Sequence, residues 1–168
     1  MSDSENNSRI VNINDSNWTG EDEDGGRWKR LARETGGTHL GCTLEKIQPG
    51  GCPANYHYHL ANEEALYVIE GRGTLRTPEG NNVIGPGDYV AFPVGEAGAH
   101  AVENTSDGVL RCLFFSTMHE PDVIVRPDEK KLYVNAGAAP GKPSEERTFE
   151  ASFSFGGAPT DRDHRRSS

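Results

Sequence analysis

The sequence predicts an all-β domain built as a sandwich or barrel, and two observations lead to this fold class. Turn-forming glycine, proline, asparagine and aspartate residues recur roughly every 8–12 residues between positions 27 and 117. The runs between them are short, and none shows the roughly 3.6-residue apolar period of an amphipathic helix. Short strands joined by tight turns are therefore expected throughout this region.

The predicted strands follow the chain from one turn signal to the next. They span residues 27–32, 38–47, 54–59, 65–69, 74–77, 82–84, 89–92, 100–103 and 109–116. Residues 122–126 and 131–135 are expected to extend the structure, and residues 10–13 to form a short edge strand. Near the C-terminus, Phe149, Phe153 and Phe155 are apolar enough to dock on the domain or on a neighbouring subunit.

Composition divides the chain into three parts. Residues 1–26 contain seven acidic residues and one arginine, which predicts an acidic and largely disordered arm. Residues 27–135 form the predicted β-barrel domain. Residues 136–168 begin with a run rich in glycine, alanine and proline and are expected to form a flexible C-terminal extension.

Charge and hydropathy exclude several classes of partner. The formal net charge is −9 and no basic patch is present, so nucleic acid is not an expected partner. No apolar run is long enough to cross a membrane, and the N-terminus lacks a signal peptide, so no membrane partner is expected. The cysteines Cys42, Cys52 and Cys112 are few and odd in number, which favours reduced thiols in the cytoplasm.

A histidine pair suggests the chemistry of the protein. His57 and His59 are two residues apart, so on a strand their side chains point to the same face. Two carboxylates, Glu63 and Glu64, follow within five residues, and His100 lies in a later predicted strand. Three imidazoles and one carboxylate suit a divalent transition metal such as Fe, Mn, Ni or Zn. The alternation of side chains does not decide between Glu63 and Glu64.

These residues belong to two longer motifs. The first has the spacing Gly, five residues, His-x-His, four residues, Glu, six residues, Gly, and the second contains Gly, Pro, Gly, His and Asn. Together they resemble the motifs of the cupin superfamily. The matching residues are Gly51, His57, His59, Glu64 and Gly71 in the first motif, and Gly87, Pro93, Gly95, His100 and Asn104 in the second. One departure is that four residues, not two, separate Gly95 from His100, which we interpret as a longer loop.

The resemblance implies a fold, a site and a function. The fold is a double-stranded β-helix, or jelly-roll barrel, with extended N- and C-terminal arms. The metal ligands it implies are His57, His59, Glu64 and His100, with Glu64 selected by its distance to Gly71 and Glu63 as the fallback. The implied activity is that of a mononuclear-metal enzyme on a small polar organic molecule, expected to be anionic. Oxygenation, decarboxylation and isomerisation remain open, and a homodimer is expected.

Two alternatives differ in class from an enzyme. One is a non-catalytic module that binds or senses a metal and a small ligand, and the other is a structural metal site. Four further residues have open roles. Cys52 lies beside the first motif, and each of Arg72, Arg76 and Arg111 could bind a carboxylate or phosphate or form a surface ion pair.

Overall fold

Nearly all of the regular structure is β. A computed structural model describes residues 9–15, 17–23, 25–137 and 148–156. The one α-helix of these ranges is a single turn, α1 (Leu31–Glu34), and a 3-10 turn spans Glu96–Gly98. The strands are β1 (Gly20–Glu21), β2 (Arg27–Arg30), β3 (Gly41–Ile47), β4 (Tyr58–His59), β5 (Glu64–Glu70), β6 (Gly73–Thr77), β7 (Gly80–Ile84), β8 (Tyr89–Phe92), β9 (Ala101–Glu103), β10 (Leu110–Ser116), β11 (Asp122–Arg126), β12 (Lys131–Ala136) and β13 (Phe149–Ser154).

The strands form three antiparallel sheets with a jelly-roll architecture. The largest has the order β1-β2-β3-β10-β5-β8, the second β13-β12-β11-β4 and the third β7-β6-β9. Strands distant in sequence are neighbours, since β10 pairs with both β3 and β5. The predicted all-β jelly-roll fold is confirmed. None of the helices in the described ranges has the length and apolar character that a membrane crossing requires.

The apolar core fills the space between the six-stranded and three-stranded sheets. Burying each large aliphatic side chain contributes about 1.5–3 kcal/mol. The core consists of Ile47, Leu66, Val68, Leu75, Ile84, Phe92, Val102, Leu110 and Cys112.

The register of β10 determines which residues share the interior face with this core. Residues directly opposite each other on antiparallel strands lie on the same face, and β10 has a partner on each side. The resulting rows are Cys112 with Glu45 and Val68, then Phe114 with Thr43 and Leu66, then Ser116 with Gly41 and Glu64. The interior thus changes along β10 from an apolar core to a polar end that contains Glu64.

Two residues of the predicted motifs hold the turns around this barrel. Gly71 has φ = 85°, and a Cβ at this position would lie 2.2 Å from the carbonyl oxygen of Val109, so only glycine fits. Asn104 is completely buried and donates hydrogen bonds to the carbonyls of Ile47 (2.9 Å) and Gly108 (2.7 Å). These motif positions therefore stabilise the fold.

Three local predictions are wrong. Residues 10–13 do not form a strand; instead the buried Lys29 donates a hydrogen bond from Nζ to the carbonyl of Asn12 at 3.2 Å. The strand predicted for residues 27–32 ends at Arg30 because α1 follows directly. The strand predicted for residues 54–59 is reduced to β4, with His57 in an isolated bridge to His100.

Both terminal segments contribute strands to the sheets. β1 pairs with β2, and β13 pairs with β12 from Lys131 opposite Ser154 to Ala136 opposite Phe149. Phe149, Phe153 and Phe155 remain 40–53% exposed in this arrangement. The boundaries between arms and barrel stay predictions, and most of the C-terminal extension lies outside the described residues.

Candidate metal centre

Four side chains converge at the polar end of the barrel interior. The Oε2 atom of Glu64 lies 3.8 Å from Nε2 of His57, 3.3 Å from Nε2 of His59 and 3.5 Å from Nε2 of His100. The three rings and the carboxylate have side-chain exposures of only 4–19%. All four residues predicted as ligands are therefore brought together, and their role as metal ligands stays a prediction.

Backbone pairing places these residues. His57 and His100 exchange two main-chain hydrogen bonds, of 3.1 and 2.9 Å, so their rings lie side by side with centroids 4.6 Å apart. His59 is fixed in β4 by its pairing with Ile124 of β11. Glu64 begins β5, where it lies opposite Ser116 and Phe92. Strands β4 and β5 and the isolated bridge between His57 and His100 thus contribute to one group.

The outer nitrogen of each ring has its own partner. Nδ1 of His57 lies 2.8 Å from the carbonyl oxygen of Asn55, and Nδ1 of His100 lies 2.9 Å from that of Gly98. A carbonyl oxygen can only accept, so Nδ1 carries the hydrogen in both rings and Nε2 presents a lone pair to the centre. The tautomer required of a metal-binding histidine is set by the backbone.

His59 has a carboxylate partner instead. Its Nδ1 lies 2.5 Å from Oδ2 of Asp122, which is 1% exposed. The other oxygen of Asp122 accepts hydrogen bonds from the backbone N–H groups of Ala61 and Val123 at 3.2 and 2.9 Å. These bonds fix the position of Asp122, and through it the orientation of the His59 ring.

The long loop of the second motif positions His100. Between Gly95 and His100 the chain forms the 3-10 turn, and the N–H of Gly95 donates to the carbonyl of His59 at 2.8 Å. A Cβ on Gly98 would lie 1.8 Å from the carbonyl oxygen of Pro93, so this close approach requires glycine. The His100 ring stacks on Phe92 at a centroid distance of 3.6 Å. With this longer loop, Nε2 of His100 still lies 3.5 Å from Oε2 of Glu64.

The electrostatics of the group favour a positive charge at its centre. Although burial acts in the opposite direction, hydrogen bonds to Asp122 and Glu64 raise the pKa of His59 to about 9. Burial alone would raise the pKa of Glu64, but the neighbouring imidazoles of His57, His59 and His100 hold it well below its usual range. Burial and the neighbouring His57 lower the pKa of His100 to about 4.

The donor set fits a divalent metal. The carboxylate oxygen and the Nε2 lone pairs of His57 and His100 repel one another unless a cation lies among them. Imidazole nitrogen combined with carboxylate oxygen is a ligand set accepted by Fe, Mn, Ni and Zn. His57, His59 and Glu64 alone offer three ligand atoms within 4.8 Å of one another.

A cavity of about 190 Å³ opens beside these residues. Three of the four, His57, Glu64 and His100, form part of its wall. Apolar side chains make up much of the rest, among them Val102, Phe114 and Met118. At about 30 Å³ per liquid water, the space equals about six water molecules, which suits a small metabolite.

The weaker candidates lie elsewhere. Glu63 is exposed, so Glu64 alone of the two carboxylates joins the group. The three arginines lie away from the centre. Arg76 forms an ion pair with Asp128 and lies over the ring of Tyr56. Arg111 forms an ion pair with Glu70, and Arg72 is exposed.

Cys52 is exposed and, like Cys42 and Cys112, a free thiol. His39 and His119 are exposed, and His164 lies outside the described residues. Apart from Glu64, none of the described residues named in this paragraph and the one before it lines the cavity.

The sequence did not identify three residues of the site. Asp122, Glu45 and Ser116 carry polar groups on strands that were largely predicted, yet no spacing relates them to the histidine motifs. A polar residue on the interior face of a strand was the available signal for Glu45 and Ser116. That signal requires the register of the strands, which the sequence does not show.

Comparison with known proteins gives a consistent result. The family model described as a cupin domain matches residues 43–116, which contain both motifs. An L-ectoine synthase from Shouchella clausii is 30% identical over 111 residues, covering 63% of this chain and 79% of that protein.

Solved structures include two with related folds and sequences. A putative sugar phosphate isomerase from Acidithiobacillus ferrooxidans is 36% identical, with a TM-score of 0.62 over 65% of this chain and 69% of the other. A sugar phosphate isomerase of a cupin superfamily from Silicibacter pomeroyi is 25% identical, with a TM-score of 0.69 over 83% of both chains.

Proposed function

Because this chain belongs to the cupin superfamily, we propose that it is a metal-dependent enzyme acting on a small polar organic molecule. The proposed ligands are His57, His59, Glu64 and His100, and the proposed metal is Fe, Mn, Ni or Zn. The observation that carries this proposal is the convergence of three imidazole nitrogens on one carboxylate oxygen at the wall of a cavity.

The chain's own residues would orient the metal and the substrate. Bound there, a divalent metal would act as a Lewis acid on a substrate oxygen. The carbonyls of Asn55 and Gly98 keep the Nε2 atoms of His57 and His100 free for the centre, and Asp122 orients the His59 ring by accepting a hydrogen bond from its Nδ1. Phe114 and Val102 line the cavity with apolar surface, which would strengthen electrostatic interactions with a bound substrate.

Among the possible reactions, isomerisation has the most support. Of the two solved relatives above, one is named a putative sugar phosphate isomerase and the other a sugar phosphate isomerase, whereas oxygenation and decarboxylation have no comparable support in relatives of similar identity. A substrate with a phosphate group is not favoured in this cavity, because no lysine or arginine of the described chain lines it. We therefore propose an isomerase-type conversion of a substrate without a phosphate group in this cavity.

Metal analysis followed by a substrate screen tests this proposal. We expect protein purified without chelator to contain about one equivalent of a transition metal by inductively coupled plasma mass spectrometry. Pools of small polar metabolites would then be incubated with metal-loaded and chelator-treated protein and followed by proton NMR. Conversion only in the metal-loaded sample is the expected result. A compound that binds without conversion would favour the non-catalytic module, and absence of metal would refute the proposed centre.

We also propose that the protein is a homodimer. Phe149, Phe153 and Phe155 lie on or next to β13 and are at least 40% exposed, and β13 is the edge of its sheet. Exposed aromatic side chains at a sheet edge favour association with a second copy. Multi-angle light scattering at micromolar concentration should give twice the 18.3 kDa chain mass, and replacing the three phenylalanines by serine should shift it towards the monomer. A monomeric wild-type protein would contradict this proposal.

A further inference from the structure

The wall of the cavity beside the candidate metal centre carries three polar side chains that make no hydrogen bond within the described protein. They belong to Thr43, Glu45 and Ser116. The Oγ of Ser116 is the one buried side-chain oxygen or nitrogen of the described residues without a hydrogen-bond partner. No hydrogen bond or ion pair from the described residues reaches the hydroxyl of Thr43 or the carboxyl of Glu45 either. Polar groups of this kind at a cavity wall favour a ligand that supplies the missing partners.

These three groups lie in successive rows of the six-stranded sheet. Ser116 lies directly opposite Glu64, which belongs to the centre. Thr43 lies one row further along β3 and β10, and Glu45 lies one row beyond Thr43. Residues two apart on a strand are about 6.6 Å apart, so a single small group cannot bond to two rows. A molecule that carries several polar groups along a chain can bond to one row after another.

Hydrogen bonding, and not net charge, distinguishes this wall. Glu45 also lines an adjoining cavity, whose other charged residues have both signs: Asp22, Arg27, Arg30 and Lys46. In the inner cavity none of the described lining residues is a lysine or an arginine, so an anionic group there would lie near Glu45 and Glu64 without a protein cation beside it. A hydroxyl group can donate to a carboxylate and can also accept from serine or threonine, so it suits all three side chains.

We propose that the cavity binds an unphosphorylated sugar, that is, a polyhydroxy aldehyde or ketone. Its carbonyl end lies at the candidate metal centre next to Ser116, and its hydroxyl groups bond along β3 to Thr43 and Glu45. The ionised carboxyl group of Glu45 has two acceptor oxygens and can accept from two neighbouring hydroxyl groups at once. The inference rests on the proposed function in that it treats this cavity as the substrate site and names the substrate class of the isomerase-type reaction.

A panel of sugars with and without phosphate tests the proposal. Common aldopentoses, aldohexoses and ketohexoses, and their terminal phosphate esters, would be titrated into the protein as purified and followed by two-dimensional NMR. The pH is 8, because burial and the charges of Glu64 and Asp22 raise the pKa of Glu45 to about 7 and its carboxyl group is then mostly ionised. We expect at least one free sugar to bind with a Kd on the order of millimolar. Its phosphate ester should bind at least about tenfold more weakly.

Substitutions locate the contacts. Thr43→Val keeps the shape of the side chain but removes the hydroxyl, and Glu45→Gln removes the charge of the acceptor. Each should raise the Kd of the sugar that binds best about three- to tenfold. Thr38→Val and Glu63→Gln change an exposed threonine and an exposed glutamate that do not line the cavity, so these matched controls should leave the Kd unchanged. Thermal unfolding checks that each variant is folded.

The outcomes separate this inference from the proposed function. The sugar site is refuted if no sugar of the panel binds, if the phosphate esters bind as tightly as the free sugars or more tightly, or if Thr43→Val and Glu45→Gln both bind like the wild type. Metal content would be measured in the same samples. If the wild type contains no metal but binds a free sugar through Thr43 and Glu45, the proposed enzyme function fails and the sugar site stands. If metal is present and no sugar binds, the reverse holds.

Discussion

Replacing both His57 and His100 by alanine is expected to abolish metal binding. The change removes two of the four proposed ligands and leaves His59 and Glu64, which are too few to hold a transition metal against water and buffer. Because loss of the outer partners of metal ligands already costs about 10–100-fold in affinity, loss of two ligands should exceed about 100-fold. Elemental analysis after equilibration with each metal in turn measures the effect, and thermal unfolding with and without chelator measures the linked loss of stability.

A matched control distinguishes this site from adventitious binding by histidine. His39 is exposed and distant in sequence from the centre, so His39→Ala should retain the metal content of the wild type. The variant of His57 and His100 should lose both the metal and the difference in melting temperature that chelator produces in the wild type. Equal metal in the three proteins would show that the ion binds elsewhere.

Most of the barrel could be predicted because its strands are local features. Each strand from β5 to β12 lies between glycine, proline or asparagine turns, and a period of two within the strand needs only neighbouring residues to be recognised. The errors occur where contacts between residues distant in the sequence determine the local structure. Residues 10–13 have strand-forming side chains, yet their main chain meets the amine of Lys29 instead of a sheet edge. Residues 54–56 form no strand, because the only pairing just before β4 is the isolated bridge between His57 and His100.

The candidate centre could be predicted as far as its residues belong to motifs. The spacing of His57 and His59 predicts that their side chains share a face, and the distance from Glu64 to Gly71 favours Glu64, which lies beside the histidines, over the exposed Glu63. The partners of these residues depend on register between strands distant in the chain. Asp122 reaches His59 because β11 pairs with β4, and Glu45 enters the cavity because β3 pairs with β10. No local pattern in the sequence encodes either pairing.

Asp122→Ala is expected to weaken metal binding and to destabilise the fold at the same time. Asp122 and the His59 ring form a buried pair, and removing one member of such a pair costs about 3–5 kcal/mol because the other is left without compensation. The backbone N–H groups of Ala61 and Val123 lose their acceptor as well. Metal affinity should fall about 10–100-fold, since His59 is no longer held in its orientation. Competition with a chromogenic chelator measures the affinity, and urea denaturation measures the stability.

Asp122→Asn separates the two effects. The amide oxygen of asparagine can still accept the hydrogen of His59 Nδ1, so the orientation of the ring and most of the fold should be retained. The negative charge is lost, however, and with it the increase in the basicity of His59 that a carboxylate partner supplies. Asp122→Asn should therefore unfold closer to the wild type than Asp122→Ala does, while its metal affinity stays below that of the wild type. If both variants bind metal as tightly as the wild type, Asp122 stabilises the fold only, and the orientation of His59 depends on β4 alone.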